Sequence, residues 1–386
     1  MSILRFLKGI NSVRKHVSAG PNASPLCIIR QALPYYFSKS GFSHPPLSVF
    51  FIINSSCNLR CMMCDVGQKN KDSMFYKNLI GRDGQDMLIT KFKSIIDEIS
   101  HFQPFISVTS TEPLLYPNIM DAIEHVVQGG LKMNITTNGY LLKRYAEDLA
   151  ASGLQRLTIS LDGPPDIHDN IRGMKGAYQR ALEGIHLLHE CKIKNGFNTP
   201  EIFVNSTISD INTGHLQEFV DGLPLATLKQ VGFMTMVFCT KELANRHNAV
   251  YGNQYRATET CLSGGMNPAK VDVDLLFSEL KMIKDKYGDK VAYFFPLNRE
   301  ILNTYFKKPD AFINGNKCIF PWYSAQLTSS GDMVGLTRCY NNSFGNINEK
   351  SFMDIWNGKK MREFRLDLKK HKRFPACSRC EGVLYI

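Results

Sequence analysis

The run Ser48-Val-Phe-Phe-Ile-Ile-Asn54 is followed, after two serines, by Cys57-Asn-Leu-Arg-Cys61-Met-Met-Cys64. The first stretch is apolar between its ends, which is typical of a strand buried on both faces. The second stretch places three thiols at the end of that strand. Three thiolates suit a cubane iron-sulfur cluster, because its irons bind soft sulfur ligands, and they leave one iron open. An open iron can bind a substrate or a cofactor.

A structural zinc site is the alternative interpretation of these three cysteines. Tetrahedral zinc would need a fourth Cys or His nearby, and the next histidine along the chain is His101. The number and spacing of the thiols therefore favour the cluster.

The composition is that of an ordinary globular protein, with 386 residues, 44% hydrophobic and 21% charged. No apolar run is long enough to span a bilayer. The eleven cysteines come without a secretory signal, which favours metal ligands and reactive thiols over disulfides. We expect a cytoplasmic protein.

The net charge of +11 is concentrated at the N-terminus, where no acidic residue precedes Asp65. Between Ile3 and Val17, apolar residues recur at roughly helical spacing beside basic ones. This pattern predicts an amphipathic helix that either contacts a membrane surface peripherally or packs on the core with its basic side solvated. Nucleic-acid binding ranks lowest, because no RNA-binding module accompanies the charge.

From residue 48 to about 237, short β-rich runs alternate with longer amphipathic segments, which predicts parallel strands joined by crossover helices. The predicted strands are 48–54, 105–109, 132–137, 156–161, 201–208 and 229–237. The predicted helices lie near 90–101, 118–129, 141–152, 176–192 and 213–221, and further along at 272–287. Six β/α units are too few for a closed eight-stranded barrel.

In parallel architectures of this kind, ligands bind at the carboxyl ends of the strands. Polar runs follow each of the first four predicted strands: the cysteine loop, then Thr111-Glu112-Pro113, then Thr136-Thr137-Asn138-Gly139, then Ser160-Leu-Asp-Gly163. One end of the sheet should therefore gather all four, with Thr136 and Asn138 among the cofactor-binding residues.

The cysteine spacing resembles the signature of the radical S-adenosylmethionine (radical SAM) superfamily. There, the open iron chelates the methionine end of the cofactor, and reduction yields a 5'-deoxyadenosyl radical. Thr109-Ser-Thr-Glu112-Pro113 resembles the family's Gly-Gly-Glu-Pro motif, with both glycines replaced. The resemblance implies that Glu112 accepts from the cofactor's ammonium.

The run from Ser160 to Gly173 resembles a segment of the radical SAM subfamily that carries C-terminal SPASM or twitch domains. That resemblance implies that Ser160 and Arg172 hold the cofactor's carboxylate or ribose, since an arginine fork pairs bidentately with a carboxylate. Asn205, on the fifth predicted strand, is a further candidate for the ribose.

Two residues are candidates for catalysis. Asp162 is a possible general base, although acids in a Pro-rich loop are more often turn-formers. Cys239 follows the sixth predicted strand, and a thiol in the cavity would donate a hydrogen atom to a substrate radical, giving epimerisation instead of oxidation. Cys27, Cys191 and Cys261 remain unassigned and fit buried small side chains.

The last 70 residues hold four more thiols: Cys318, Cys339, Cys377 and Cys380. Four is a full cubane complement, although tetrahedral zinc would also fit. The glycine and aromatic residues between them resemble the half-length twitch version of the SPASM domain. This implies one auxiliary [4Fe-4S] cluster with protein ligands only.

The predicted fold is α/β: a partial (β/α)6 TIM-type barrel with a small C-terminal cysteine-rich SPASM/twitch-like domain. Its parts are a basic extension at 1–46, the radical SAM core at 47–240, a linker or substrate region at 241–313 and the auxiliary cluster domain at 314–386.

The implied function is a radical SAM oxidoreductase that takes a hydrogen atom from a substrate and passes the remaining electron to the auxiliary cluster. A reducing partner such as flavodoxin or ferredoxin would be needed. Fewer than 50 residues precede the first strand, which favours a small, sugar-like or carrier-linked substrate over a leader-bearing peptide. Peptide crosslinking, epimerisation or maturation is the alternative. RNA modification and a non-catalytic iron-sulfur electron carrier are alternatives of other classes.

Overall fold

The structure is a computed structural model and describes residues 25–80, 84–313, 317–335 and 340–380, with side chains from residue 29. The predicted N-terminal amphipathic helix, Cys339 and the side chain of Cys27 lie outside this description. In the described part of the chain, no helix is both long and apolar enough to cross a membrane.

One ten-stranded sheet organises the described residues: seven strands follow one another across it in chain order, and three strands from the C-terminal segment extend it beyond the first of them. The strands from β1 to β7 are all parallel to their neighbours. They are β1 (Ser48–Phe51), β2 (Phe105–Val108), β3 (Met133–Thr137), β4 (Arg156–Ser160), β5 (Glu201–Ile208), β6 (Gln230–Thr235) and β7 (Val291–Tyr293). All six predicted strands are confirmed. The sheet is curved as a partial barrel and does not close, as predicted.

Helices follow the strands in the alternating pattern that the sequence predicts. Before β6 they are α1 (Pro25–Phe37), α2 (Met74–Ile80), α3 (Ile89–Ile99), α4 (Ile119–Gln128), α5 (Leu142–Ala151), α6 (Pro165–Arg172), α7 (Ala177–Asn195) and α8 (Leu216–Asp221). After β6 they are α9 (Lys241–Tyr251), α10 (Val273–Tyr287), α11 (Arg299–Lys307), α12 (Phe352–Trp356) and α13 (Lys359–His371).

The two faces of the parallel sheet differ in polarity. On the outer face, Val49, Ile106, Ile135 and Ile159 are fully buried, because the crossover helices pack against that face of the sheet. The opposite face carries the alternate residues of each strand, many of them polar. Thr158 Oγ1 donates to Asn134 Oδ1 at 2.8 Å across β4 and β3. The concave face is therefore suited to a polar ligand.

The C-terminal segment adds three strands to the same sheet: β8 (Ser324–Leu327), β9 (Asp332–Val334) and β10 (Ser343–Asn346). Strand β8 pairs with β1 in parallel register, with Phe50 opposite Gln326. Strands β9 and β10 continue antiparallel. Because β1 leads directly into the cysteine loop, the C-terminal segment is anchored beside that loop.

Candidate functional site

The cysteine loop is held on one side by the end of α6. Arg60 N donates to Arg172 O at 3.1 Å, and Met62 N donates to Ile171 O at 2.8 Å. Gly173 ends this helix at φ +64°, and a Cβ there would lie 2.7 Å from Arg60 O. Only glycine combines that backbone angle with so close an approach.

On its other side, the cysteine loop is held by a segment from the region that joins the two thiol sites. We name residues 256–264 the strap segment. Asp65, fully buried next to Cys64, accepts from Cys261 N at 3.1 Å and from Ser263 Oγ at 3.0 Å. A Cβ on Gly264 would lie 2.3 Å from Met62 O. Sequence reasoning missed Asp65, whose one signal is its position directly after Cys64.

The three thiols of the loop lie close enough to act on one another. Burial raises the pKa of Cys57 to about 12, and Cys61 and Cys64 raise it further. Burial likewise raises the pKa of Cys61 to about 11, against the opposing effect of Arg172. Buried thiols with such high pKa values form thiolates only with a strong electrophile beside them, which is what a bound metal supplies.

Arg172 contacts the cysteine loop directly. Its Nη1 donates to Cys61 Sγ at 3.7 Å, and its Nε donates to Asp162 Oδ2 at 2.6 Å. Burial alone lowers the pKa of Arg172, but Asp162 and Cys61 raise it by more. The predicted role with the cofactor's carboxylate stays a prediction, and the structure adds a contact with a candidate cluster ligand.

Asp162 is fully buried and its carboxylate is engaged at both oxygens. Besides the Arg172 contact, Oδ1 accepts from Thr207 N at 2.8 Å. Its backbone N–H donates to His168 Nδ1 at 3.1 Å. These surroundings fit a role for Asp162 in orienting Arg172 better than they fit a role as a general base. The predicted general-base role remains untested.

Glu112 is also fully buried, and its carboxylate accepts hydrogen bonds from residues that follow β2 and from residues at the end of β3. It accepts from Thr137 Oγ1 at 2.7 Å, from Asn138 N at 2.7 Å and from Leu114 N at 3.0 Å. Burial raises its pKa, whereas these three donors lower it. A carboxylate has about four acceptor positions, so one remains for a further donor such as an ammonium.

One of the two residues that replace glycine in the Glu112 motif keeps a backbone conformation typical of glycine. Ser110 adopts φ +85°, in the left-handed region that favours glycine. Thr111 Oγ1 donates to Asn54 Oδ1, and Asn54 lies three residues after the end of β1. The glycine-like backbone is therefore retained at Ser110 without a glycine.

The remaining predicted cofactor residues lie on the same end and face of the sheet. Asn138 Nδ2 donates to Asn58 Oδ1 at 2.8 Å, which joins the third strand end to the cysteine loop. Ser160 and Asn205 are register partners on β4 and β5. Thr136 Oγ1 accepts from Asn134 Nδ2 at 3.2 Å. The structure thus brings the strand ends together as predicted, while each residue's role remains a prediction.

Cys239 lies away from any open surface. It is fully buried and forms an isolated bridge with Thr260 of the strap segment, with Thr260 N donating to Cys239 O at 3.0 Å. Its neighbour across this bridge, Cys261, is buried at φ +63°. The predicted hydrogen-atom transfer from Cys239 gains no support from this burial and stays a prediction.

A second thiol site lies in the C-terminal segment. Cys318, Cys377 and Cys380 all act on the buried Arg373, and Cys377 Sγ lies 3.8 Å from Tyr340 Oη. Burial and these thiols raise the pKa of Tyr340 well above its ordinary value. The structure thus brings together the three predicted C-terminal ligands that it describes. Arg373 was missed, because in sequence it is one member of a basic run.

The donor sets fit iron-sulfur clusters. Each cysteine of a cubane binds a different iron, so the thiols lie farther apart than ligands of a single ion. Among the side chains that the structure describes, no three His, Cys, Asp or Glu are arranged to hold one metal ion.

The strap segment joins the two thiol sites. At one end Ala257 bridges Tyr340, and Asn341 N donates to Arg256 O at 2.9 Å. At the other end lie the contacts with Asp65 and Met62. Cys261 lies four positions after Ala257, a stretch that spans at most about 14 Å.

Comparison with known proteins agrees with these two sites. Residues 51–215 match the family model of the radical SAM superfamily, and residues 318–381 match that of the SPASM iron-sulfur cluster-binding domain.

Two curated relatives come from Methanosarcina barkeri. An AdoMet-dependent heme synthase is 29% identical over 162 residues, which cover 41% of this chain and 44% of the relative. An Fe-coproporphyrin III synthase is 26% identical over 346 residues, covering 84% of this chain and 76% of the relative. The chain therefore spans less than half of the first relative.

Among solved structures, Streptococcus suis SuiB bound to S-adenosylmethionine superposes with a TM-score of 0.60 at 15% identity, covering 98% of this chain and 83% of SuiB. This likeness shows the fold. The family matches imply a SAM-binding [4Fe-4S] cluster, an auxiliary [4Fe-4S] cluster and S-adenosyl-L-methionine as cofactors. The chain belongs to the radical SAM superfamily and carries a SPASM domain.

Proposed function

We propose that the enzyme is an oxidoreductase that removes two electrons and two protons from a small, sugar-like or carrier-linked substrate. The observation that carries this proposal is the strap segment, which ties the auxiliary thiol site to the SAM-site loop. A second cluster joined to the first site by this segment is suited to accept an electron from a substrate bound at the first.

When bound and reduced, the first cluster and S-adenosylmethionine supply a 5'-deoxyadenosyl radical. We assign the cluster to Cys57, Cys61 and Cys64, and the cofactor's ammonium to the free acceptor position of Glu112. Ser160 and Asn205 lie on the adjoining polar face, and we assign the ribose to them. The strap segment and the end of α6 enclose the loop from both sides, which restricts water at the cluster.

One hydrogen atom leaves a substrate C–H bond and forms 5'-deoxyadenosine. The substrate radical left behind would be oxidised by losing one proton and one electron, and a cluster held by Cys318, Cys377 and Cys380 would supply the place for that electron. An external one-electron carrier, of the flavodoxin or ferredoxin class, would remove that electron and would supply the electron that cleaves S-adenosylmethionine into methionine and the radical.

The test is an anaerobic incubation with a strong reductant and S-adenosylmethionine, with a panel of sugars and carrier-linked candidates. We expect 5'-deoxyadenosine from the wild type and none from a Cys57→Ala/Cys61→Ala/Cys64→Ala variant. A substrate on the panel should give one product, lighter by two hydrogens, per 5'-deoxyadenosine. A product isomeric with its substrate would instead establish redox-neutral chemistry.

A peptide is the second candidate substrate. Its support is the fold of SuiB bound to its precursor peptide SuiA, which superposes with a TM-score of 0.59 over 93% of this chain. At 16% identity that likeness covers the fold and leaves the substrate open. Incubation with peptides encoded beside the gene, followed by mass spectrometry, would distinguish a crosslinked peptide from an oxidised small molecule. Fe-coproporphyrin III, which the name of one Methanosarcina barkeri relative contains, should be tested in the same set of candidate substrates.

A further inference from the structure

Arg373 is fixed at the auxiliary thiol site by the backbone around it. The residue is 4% exposed and lies between α13 and the turn that carries Cys377. Its Nε donates to Lys317 O at 2.8 Å, and its Nη1 donates to Ile313 O at 3.2 Å. Because Lys317 directly precedes Cys318, these bonds fix the guanidinium at the backbone that leads into that cysteine.

The charge of Arg373 acts on every auxiliary thiol that the structure describes. Burial lowers the pKa of Arg373, while Cys318, Cys377 and Cys380 oppose that effect. Arg373 in turn lowers the pKa of Cys318 against the larger effect of burial. An arginine keeps its proton in proteins, so the site contains a permanent positive charge.

Two uncharged groups also contact the auxiliary thiols. The Phe320 N–H bonds the Cys318 thiol and lowers its pKa, and Tyr340 Oη lies 3.8 Å from Cys377 Sγ. Hydrogen bonds to cluster sulfurs and nearby charge both set a cluster's reduction potential. Arg373 adds a full charge, in a buried setting where water screens it weakly.

Reducing a [4Fe-4S] cluster by one electron adds one negative charge to it. A fixed positive charge beside the cluster stabilises the reduced state more than the oxidised state, which raises the potential. We propose that Arg373 raises the reduction potential of the auxiliary cluster and thereby makes it the electron acceptor of this enzyme. This acceptor role rests on the proposed function, whereas the effect on the potential does not.

The experiment uses full-length protein with Cys57→Ala, Cys61→Ala and Cys64→Ala, so that the auxiliary cluster alone is observed. Into this background go Arg373→Gln, which removes the charge, and Arg373→Lys, which keeps it without the planar fork. Lys372→Gln is the matched control, because it removes an exposed positive charge one residue away. Iron and sulfide per chain are measured first, and EPR-monitored redox titration follows.

We expect Arg373→Gln to lower the ratio of reduced to oxidised cluster at least tenfold at a fixed solution potential, or about 59 mV for a one-electron couple. Arg373→Lys and Lys372→Gln should stay within twofold of the parent. If Arg373→Gln loses the cluster while Arg373→Lys keeps it at the parent potential, the positive charge is needed for cluster assembly. That result would also support the proposal that the charge of Arg373 acts on the cluster.

Three results would overturn the proposal: a full cluster at an unchanged potential in Arg373→Gln, a tenfold shift in Arg373→Lys, or loss of the cluster in both variants. In the last case the hydrogen bonds to residues 313 and 317 are what Arg373 contributes. Because the titration needs no substrate, failure of the proposed dehydrogenation would leave this result intact.

Discussion

The Arg172 guanidinium lies between a candidate cluster ligand and a buried acid, 3.7 Å from Cys61 Sγ and 2.6 Å from Asp162 Oδ2. Removing one partner of a buried ion pair leaves the other charge without compensation, which typically costs about 3–5 kcal/mol. We expect Arg172→Gln to lower the free energy of unfolding by an amount in this range, measured by urea denaturation of the cluster-free protein.

The control for this substitution is Lys143→Gln, which breaks the exposed pair with Glu183. Exposed pairs contribute little, so its urea midpoint should match the wild type. An Arg172→Gln midpoint that also matches would contradict the account of the buried pair.

Gly173 offers a test of how closely the cysteine loop is packed. Gly173→Ala would place a Cβ 2.7 Å from Arg60 O, whereas Gly176, at φ +79°, has no atom within 4 Å of its Cβ position. Both substitutions strain a left-handed backbone, but only the first displaces the loop. We expect Gly173→Ala to lose about half of its iron and Gly176→Ala to keep it, by colorimetric assay. Equal iron in the two variants would show that the loop tolerates the displacement.

Ser110 should be more stable as glycine. A non-glycine residue in the left-handed region costs about 1–2 kcal/mol, and Ser110 lies there at φ +85°. Ser110→Gly should therefore raise the free energy of unfolding by about 1 kcal/mol. Ser152→Gly, at an ordinary φ of −73°, is the matched control and should not stabilise. A loss of stability in Ser110→Gly would mean that the serine side chain contributes more than the strain costs.

His168 should make stability fall in mild acid. Burial, and then Arg172, lower its pKa well below 6.5, so the folded protein holds the ring neutral while the unfolded chain takes up a proton. This contribution is complete above pH 6.5, the ordinary value, and is lost as the pH falls toward the folded pKa. The loss is at most about 1.4 kcal/mol per pH unit.

The measurement is the urea midpoint between pH 7 and pH 5 for wild type, His168→Gln and the exposed control His186→Gln. The urea midpoint should fall equally steeply with decreasing pH in wild type and His186→Gln. In His168→Gln it should fall less steeply. Identical slopes in all three proteins would exclude His168 as the cause.

The sequence predicted the six central strands because each is an apolar run between turn residues, and their shared direction placed Glu112, Asn138 and Ser160 at one end of the sheet. It did not predict that β8 pairs with β1, since pairing between distant segments leaves no local pattern. The same holds for Asp65, whose partners lie almost 200 residues away in the strap segment. It also holds for Arg373, which belongs to a basic run in the sequence and is distinguished from the neighbouring lysines only by its burial in the fold.

The central claim is that one chain holds two [4Fe-4S] sites, with the SAM-binding one on Cys57, Cys61 and Cys64. The most direct measurement is iron and sulfide per chain, with Mössbauer spectra, in anaerobically purified wild type and in the Cys57→Ala/Cys61→Ala/Cys64→Ala variant. We predict about eight irons falling to about four, all in cubane clusters. A variant that holds only zinc, or no metal, would contradict the auxiliary cluster and with it the oxidative mechanism.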